Sequence, residues 1–289
     1  MKIGVFSVST PEYTPEEAVK VIKALGYDGI EWRVTNPAPS EKPADYTYEN
    51  RYWSFNRCTL PTESIIESAK LAKSQCDAEG LEIYSLTSYA SPWDVEIIKN
   101  LLEAAAEISC PNIRVLAPGF DGSKNYCTLF DETKSQLKVL EKMAAQYSVR
   151  INLEQHMNTI IPSANAAFRL VSDFDSKHIG IIVDPGNMVY EGFEDYRIVT
   201  QLLGDYIACV HMKNAGWQKT EIDKFGADVW TPGWMPLKKG AVKFSAVIEA
   251  LKEAGYSGYL GVEDFSNELD TKSKLQDNIE YIRDILQQV

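Results

Sequence analysis

The sequence predicts an α/β chain folded as a single (β/α)8 TIM barrel over residues 1–289, and three observations predict it. Short β-branched runs alternate with segments of helical period along the whole chain, the alternation repeats eight times, and no GxGxxG turn follows the first strand. Such alternation demands parallel strands joined by right-handed crossovers. An open doubly wound sheet would place its phosphate loop where this chain reads "SVSTPEYTPEE".

The elements follow in order. "KIGVFSV" (2–8) leads into "TPEEAVKVIKALG" (14–26), a helix announced by Thr14, a proline at the first helical position and Glu17 three residues after the cap, and closed by Gly26. "GIEWRV" (29–34) is the second strand, and after a long irregular piece "PTESIIESAKLAKSQCDAEG" (61–80) is its helix. The pairs continue as "LEIYSLTS" with "DVEIIKNLLEAAAEIS", "NIRVLAP" with "DETKSQLKVLEKMAAQYS", and "RINLEQH" with "SANAAFRLVSDFD". "IGIIVDP" precedes a weaker helix near 194–203, "IACVHMKN" precedes "KFSAVIEALKEAGY", and "GYLGVEDF" with "TKSKLQDNIEYIRDILQQ" closes the series.

Two connections exceed the usual length. Residues 36–60 follow the second strand and carry Tyr46, Tyr48, Tyr52, Trp53 and Phe55; residues 215–242 follow the seventh and carry Trp217, Trp230 and Trp234. Both fall at the carboxyl face, where barrels of this kind keep their active sites. Their aromatics fit a lid or substrate wall, or a contact in a homo-oligomer.

Composition narrows the partners. A net charge of −12 repels a phosphate backbone and an anionic membrane surface, so neither nucleic acid nor membrane is expected. The apolar run after Met1 is too short for a signal peptide and no segment approaches the roughly 20 apolar residues of a span, so a cytoplasmic protein is expected. Five scattered cysteines without CxxC pairing read as reduced packing residues.

The chemistry is written at the strand ends. Strands five to eight end on Glu154, Asp184, His211 and Glu263. In a barrel these ends ring one mouth, and three carboxylates with one imidazole suit Mn2+, Mg2+, Co2+ or Zn2+, the oxygen-rich set favouring the harder ions. His156 lies two residues beyond Glu154, on the same face if the strand continues, within reach of a substrate oxygen. Lys213 follows His211 at the same spacing and supplies positive charge; Arg33 has the same relation to Glu31 and suits a carboxylate or phosphate. His178 precedes the sixth strand, at the opposite end of the barrel, and is assigned no catalytic role.

"GYDGIEWR" (26–33), "INLEQH" (151–156), "VDPGNM" (183–188), "VHMKN" (210–214) and "GYLGVEDF" (258–265) together resemble the sugar phosphate isomerase/epimerase superfamily. These xylose isomerase-like barrels include ketose 3-epimerases, hydroxypyruvate isomerases, inosose dehydratases and apurinic-site endonucleases. The resemblance implies that Glu154, Asp184, His211 and Glu263 bind one divalent metal, most readily Mn2+. It implies further that Glu154 and Glu263 double as acid/base, and that Glu31 binds substrate hydroxyls. Asn187 stands where the sixth-strand motif usually has histidine and is grouped with the substrate-binding residues. The extra histidines of the trinuclear endonucleases are missing from "EWRVTNP", "LTSYASP" and "HMKNAGW".

A metal-dependent sugar isomerase or epimerase, acting through an enediolate on a small carbohydrate, is the function this implies. A metal-dependent lyase of the inosose dehydratase kind begins with the same proton abstraction, and a non-catalytic sugar-binding barrel is the third reading.

Overall fold

A computed structural model describes residues 1–289. Its strands are β1 (Lys2–Phe6), β2 (Gly29–Thr35), β3 (Leu60–Pro61), β4 (Glu82–Ser88), β5 (Asn112–Arg114), β6 (Arg150–Glu154), β7 (Ile179–Val183), β8 (Ile207–Met212), β9 (Asn214–Ile222), β10 (Asp228–Met235) and β11 (Tyr259–Val262). Its helices are α1 (Pro15–Ala24), α2 (Arg51–Ser54), α3 (Ile65–Glu79), α4 (Val95–Glu107), α5 (Tyr126–Tyr147), α6 (Ala164–Val171), α7 (Pro185–Tyr190), α8 (Tyr196–Leu203), α9 (Phe244–Glu253) and α10 (Thr271–Gln288).

The parallel strands run in the order β1, β11, β8, β7, β6, β5, β4, β2, and the pairing of β1 with β2 closes the circle. This is the eight-stranded barrel that the alternation predicts, with β3 as a two-residue addition on the outer end of β2. Strands buried on both faces need apolar residues on both, and β7, "IGIIV", is buried throughout. The helices carry the signals read from the sequence. Thr14 and Glu17 form a reciprocal capping box, and Gly26, with φ of +90°, turns the chain where a side chain would be strained. One continuous apolar core joins barrel and helices.

The two long connections have structure of their own. Residues 36–60 hold α2, and 215–242 are largely an antiparallel hairpin of β9 and β10 with Phe225 exposed at its tip. No helix is long and apolar enough to cross a membrane.

Candidate active site

Four strands deliver the central cluster. Glu154 is the last residue of β6, Asp184 follows β7 and caps α7, His211 lies in β8, and Glu263 follows β11. One ligand atom from each lies within 4.8 Å of those of the others, and all four residues are buried. His211 Nδ1 is 2.9 Å from Glu154 Oε1, 3.7 Å from Asp184 Oδ2 and 3.6 Å from Glu263 Oε2. Three buried carboxylates this close repel one another strongly and require cations among them.

Lys213 supplies one. Its Nζ sits 2.6 Å from Asp184 Oδ2 and 2.5 Å from Glu263 Oε2. Gly186 makes room for this, because a Cβ there would meet the Lys213 carbonyl oxygen at 2.7 Å. Arg114 supplies another, with Nη1 donating to Glu154 Oε2 at 2.5 Å while Nε and Nη2 donate to the Ser88 carbonyl. Arg114 went unnoticed in the sequence, although a lone charge near the end of "NIRVLAP" is the same signal that marks Glu154.

These neighbours drive the two glutamates apart. Burial alone would raise the Glu154 carboxyl, but Arg114 and His211 outweigh it and hold the group well below the usual carboxylate range. At Glu263 burial prevails over Lys213 and His211, pushing the carboxyl up to about 7. For His211 burial favours the neutral ring, yet Glu31, Glu154 and Glu263 overcome it and raise the imidazole well above its ordinary value.

Glu31 does not face outward to a substrate. It is fully buried behind His211, with Oε2 at 3.2 Å from Nε2, and its Oε1 accepts from the Thr87 hydroxyl. Both of its oxygens are engaged within the protein, one of them beside the far nitrogen of the imidazole. Phe6 stacks on the same ring at 5.6 Å between centroids. Asn187, in the first turn of α7, donates from Nδ2 to Asp184 Oδ2 at 2.9 Å, the Gln155 carbonyl at 3.0 Å and Glu154 Oε1 at 3.4 Å. All three partners are acceptors, so the amide orientation is forced and Oδ1 is left buried without a donor.

His156 does not join the cluster. β6 ends at Glu154, so the period-two relation lapses, and the half-buried imidazole bonds through Nδ1 to the Met157 carbonyl at 2.8 Å. Arg33 is buried at the end of β2, with Nη1 donating to Thr59 Oγ1 at 2.5 Å and its guanidinium over the Tyr89 ring at 5.4 Å. Tyr89 also lies under Arg114 at 4.9 Å, which places Arg33 on the same side of the mouth. His178 lies just before β7, at the amino end of the strands.

The aromatic connections close the mouth. Lys213 Nζ lies 5.0 Å from the Trp234 ring and 5.5 Å from that of Phe265. Above them a cavity of about 660 Å³ is lined by Tyr52 and Trp53 of the 36–60 segment, Trp234 of the hairpin, and Phe265.

The donor set fits a divalent cation. Three carboxylates and an imidazole nitrogen converge from separate strands, a carboxylate holds the far nitrogen of that imidazole, and an orphaned amide oxygen borders the group.

Residues 19–285 match the family model described as xylose isomerase-like TIM barrel. An inosose dehydratase of Geobacillus thermodenitrificans is 31% identical over 137 residues, 44% of each chain, and the chain spans about half the length of the curated relatives it matches. Among solved structures, the apo 3-keto-D-glucoside 4-epimerase YcjR of E. coli superposes with a TM-score of 0.71 at 20% identity, covering 98% of this chain and 99% of that one. The IOLI protein with a bound zinc atom gives 0.71 at 17% identity over 100% and 99%. At such identity the two structures show the fold, while the family model spans nearly the whole sequence, and the chain belongs to the xylose isomerase-like TIM barrel family.

Proposed function

We propose that the protein is a divalent-metal-dependent enzyme that abstracts a proton next to the carbonyl of a small hydroxy-carbonyl carbohydrate, giving isomerisation through an enediolate. The convergence of Glu154, Asp184, His211 and Glu263 from four strands carries this reading. Those residues would hold the ion, and Mn2+ suits their oxygen-rich set, with Mg2+, Co2+ and Zn2+ as alternatives. When bound, the ion supplies polarisation of the substrate carbonyl.

The acid/base role falls to Glu263. Its Oε1 makes no hydrogen bond, which leaves that oxygen to take a proton from the substrate. Glu154 has Oε1 facing His211 and Oε2 held by Arg114, so it serves as a ligand of fixed charge and leaves the proton to its partner. Lys213, beside Glu263, donates to the substrate oxygen on which charge develops. Trp53, Trp234 and Phe265 give the cavity one apolar side.

A single base serves isomerisation and also the first half of a dehydration. The inosose dehydratase relatives favour the second course to that extent, and a two-base epimerisation fits the engaged Glu154 less well. Metal analysis of the purified protein tests the core of the proposal: wild type should carry about one divalent ion per chain, and Glu154→Gln and Asp184→Asn should lose it. Wild type that takes up no ion with Mn2+ supplied would sink it. With a turned-over substrate in D2O, deuterium at the α-carbon without loss of water marks isomerisation, and a deoxy or conjugated product marks the dehydratase.

A further inference from the structure

Five basic side chains are buried in this molecule: Arg33, Arg51, Arg114, Lys213 and Lys274. Arg51 is paired with Glu12, Arg114 with Glu154, and Lys213 with Asp184 and Glu263. Lys274 donates to three oxygens, Tyr52 Oη, the Asp264 carbonyl and the Ser266 carbonyl. Arg33 differs from all of them. It is 8% exposed and has no carboxylate partner; a single hydroxyl, that of Thr59, accepts from Nη1, and Nε is buried without an acceptor. A buried guanidinium left this way costs free energy unless something anionic completes it.

Its neighbours say where that anion lies. Arg33 and Arg114 stand over the same Tyr89 ring, at 5.4 and 4.9 Å, and Arg114 is bonded to Glu154. The Tyr89 hydroxyl is also buried without a partner, and Trp53 of the cavity wall meets the Tyr89 ring edge-on at 6.3 Å between centroids. Arg33 and Arg114 thus meet at one aromatic ring, and Trp53 packs against the edge of the same ring.

Charge balance makes the same point. The mouth buries the carboxylates of Glu31, Glu154, Asp184 and Glu263. Arg114, Lys213 and one divalent ion offset them in full when His211 is neutral, and the charge of Arg33 is left over. Abstraction of a proton does not remove this surplus, because the proton passes from the substrate carbon to Glu263 and both stay in the site. A neutral sugar would leave the excess in place throughout the reaction; a substrate bearing one negative charge cancels it.

We propose that Arg33 is the anion-binding end of the substrate site and that the substrate is a monoanionic keto acid, a sugar acid bearing a carboxylate. Carboxylate is preferred to phosphate because the charge of one guanidinium is left over; a phosphate dianion would remain half-neutralised. This rests on the metal-dependent reading above.

The test is calorimetric titration of the Mn2+-loaded protein with D-fructose, D-fructuronate and D-fructose 6-phosphate, which differ in the charge they carry. Wild type should bind fructuronate at least about tenfold more tightly than fructose, Arg33→Met should reduce fructuronate to the level of fructose, and Arg33→Lys should keep part of the preference. Equal binding of acid and neutral sugar, a preference that survives Arg33→Met, tightest binding of the phosphate, or no binding of the acid would each overturn the proposal. Mn2+ uptake and thermal melting are measured on the same samples. Intact Mn2+ binding with no selection for the acid refutes the carboxylate site alone, whereas loss of Mn2+ binding in wild type refutes the metal reading itself.

Discussion

Which nitrogen of His211 faces the three carboxylates is decided by Glu31. With Oε2 at 3.2 Å from Nε2 and Oε1 occupied by the Thr87 hydroxyl, Glu31 keeps a proton on Nε2, so that the neutral ring turns its lone pair, on Nδ1, toward Glu154, Asp184 and Glu263. In the ion-free protein the same carboxylates stabilise the imidazolium, so a metal must displace the Nδ1 proton, and its affinity rises with pH. Glu31→Leu removes the acceptor and should weaken Mn2+ binding roughly 10- to 100-fold, as loss of an outer-shell partner typically does. Glu31→Gln retains an acceptor oxygen and should fall between. Titration calorimetry on the folded variants measures this, and wild-type affinity in Glu31→Leu would show that the imidazole is held by other means.

The 36–60 segment is fastened to the barrel by a buried clasp. Arg51 on α2 pairs with Glu12 at 2.7 Å and donates to Asn267 Oδ1 at 2.5 Å and Tyr52 Oη at 2.7 Å; Lys274 on α10 donates to the same Tyr52 oxygen at 2.6 Å. Trp53, carried between these anchors, is thereby held as part of the cavity wall. Arg51→Met should cost about 2 kcal/mol, because it leaves those acceptors short of a charged donor. It should also make residues 36–60 the first region cut by thermolysin under native conditions. A digest that opens elsewhere first would argue against the clasp. The sequence showed the eight barrel units well because strands such as β7 are continuous apolar runs and helices such as α1 carry their caps. It did not show the β9–β10 hairpin, since Trp217 through Ile222 are exposed on both faces and no buried stripe is written into them. It missed α7 because "DPGN" reads equally well as a turn. In the site, lone charges at strand ends were legible. Period two gives a face but neither its depth nor the partner across the barrel, which is why Glu31 behind His211 and Lys213 between two carboxylates were not foreseen. His156 lies two residues past the end of β6, where period two no longer fixes a side chain's face.

The molecule's response to alkali follows from what its core buries. Burial pushes the thiols of Cys58, Cys76 and Cys110 up to about 12 and raises that of Cys209 as well. In the unfolded chain a thiol titrates near 8.5. Each therefore contributes stability that is complete below about pH 8.5 and is lost as pH rises, since the unfolded chain releases a proton that the fold retains. Lys274 acts in the opposite sense: burial pushes its ammonium down to about 8, so between that pH and about 10.4 the fold gives up a proton that the unfolded chain keeps, and stability rises. The raised tyrosines Tyr27, Tyr52, Tyr84, Tyr196, Tyr256 and Tyr259 reinforce the thiols only above about pH 10. Four thiols against one ammonium leave a net difference of about three protons, or roughly 4 kcal/mol per pH unit between pH 9 and 10. Urea unfolding under reducing conditions at pH 8, 9 and 10 should show the midpoint falling steeply over the last unit. Cys110→Ala should lower stability at pH 8 through its cavity, yet flatten the fall by about a third, because one of the three net protons is gone. A midpoint that holds level from pH 8 to 10, or a slope unaltered in Cys110→Ala, would mean that these thiols are not shielded from ionisation by the core.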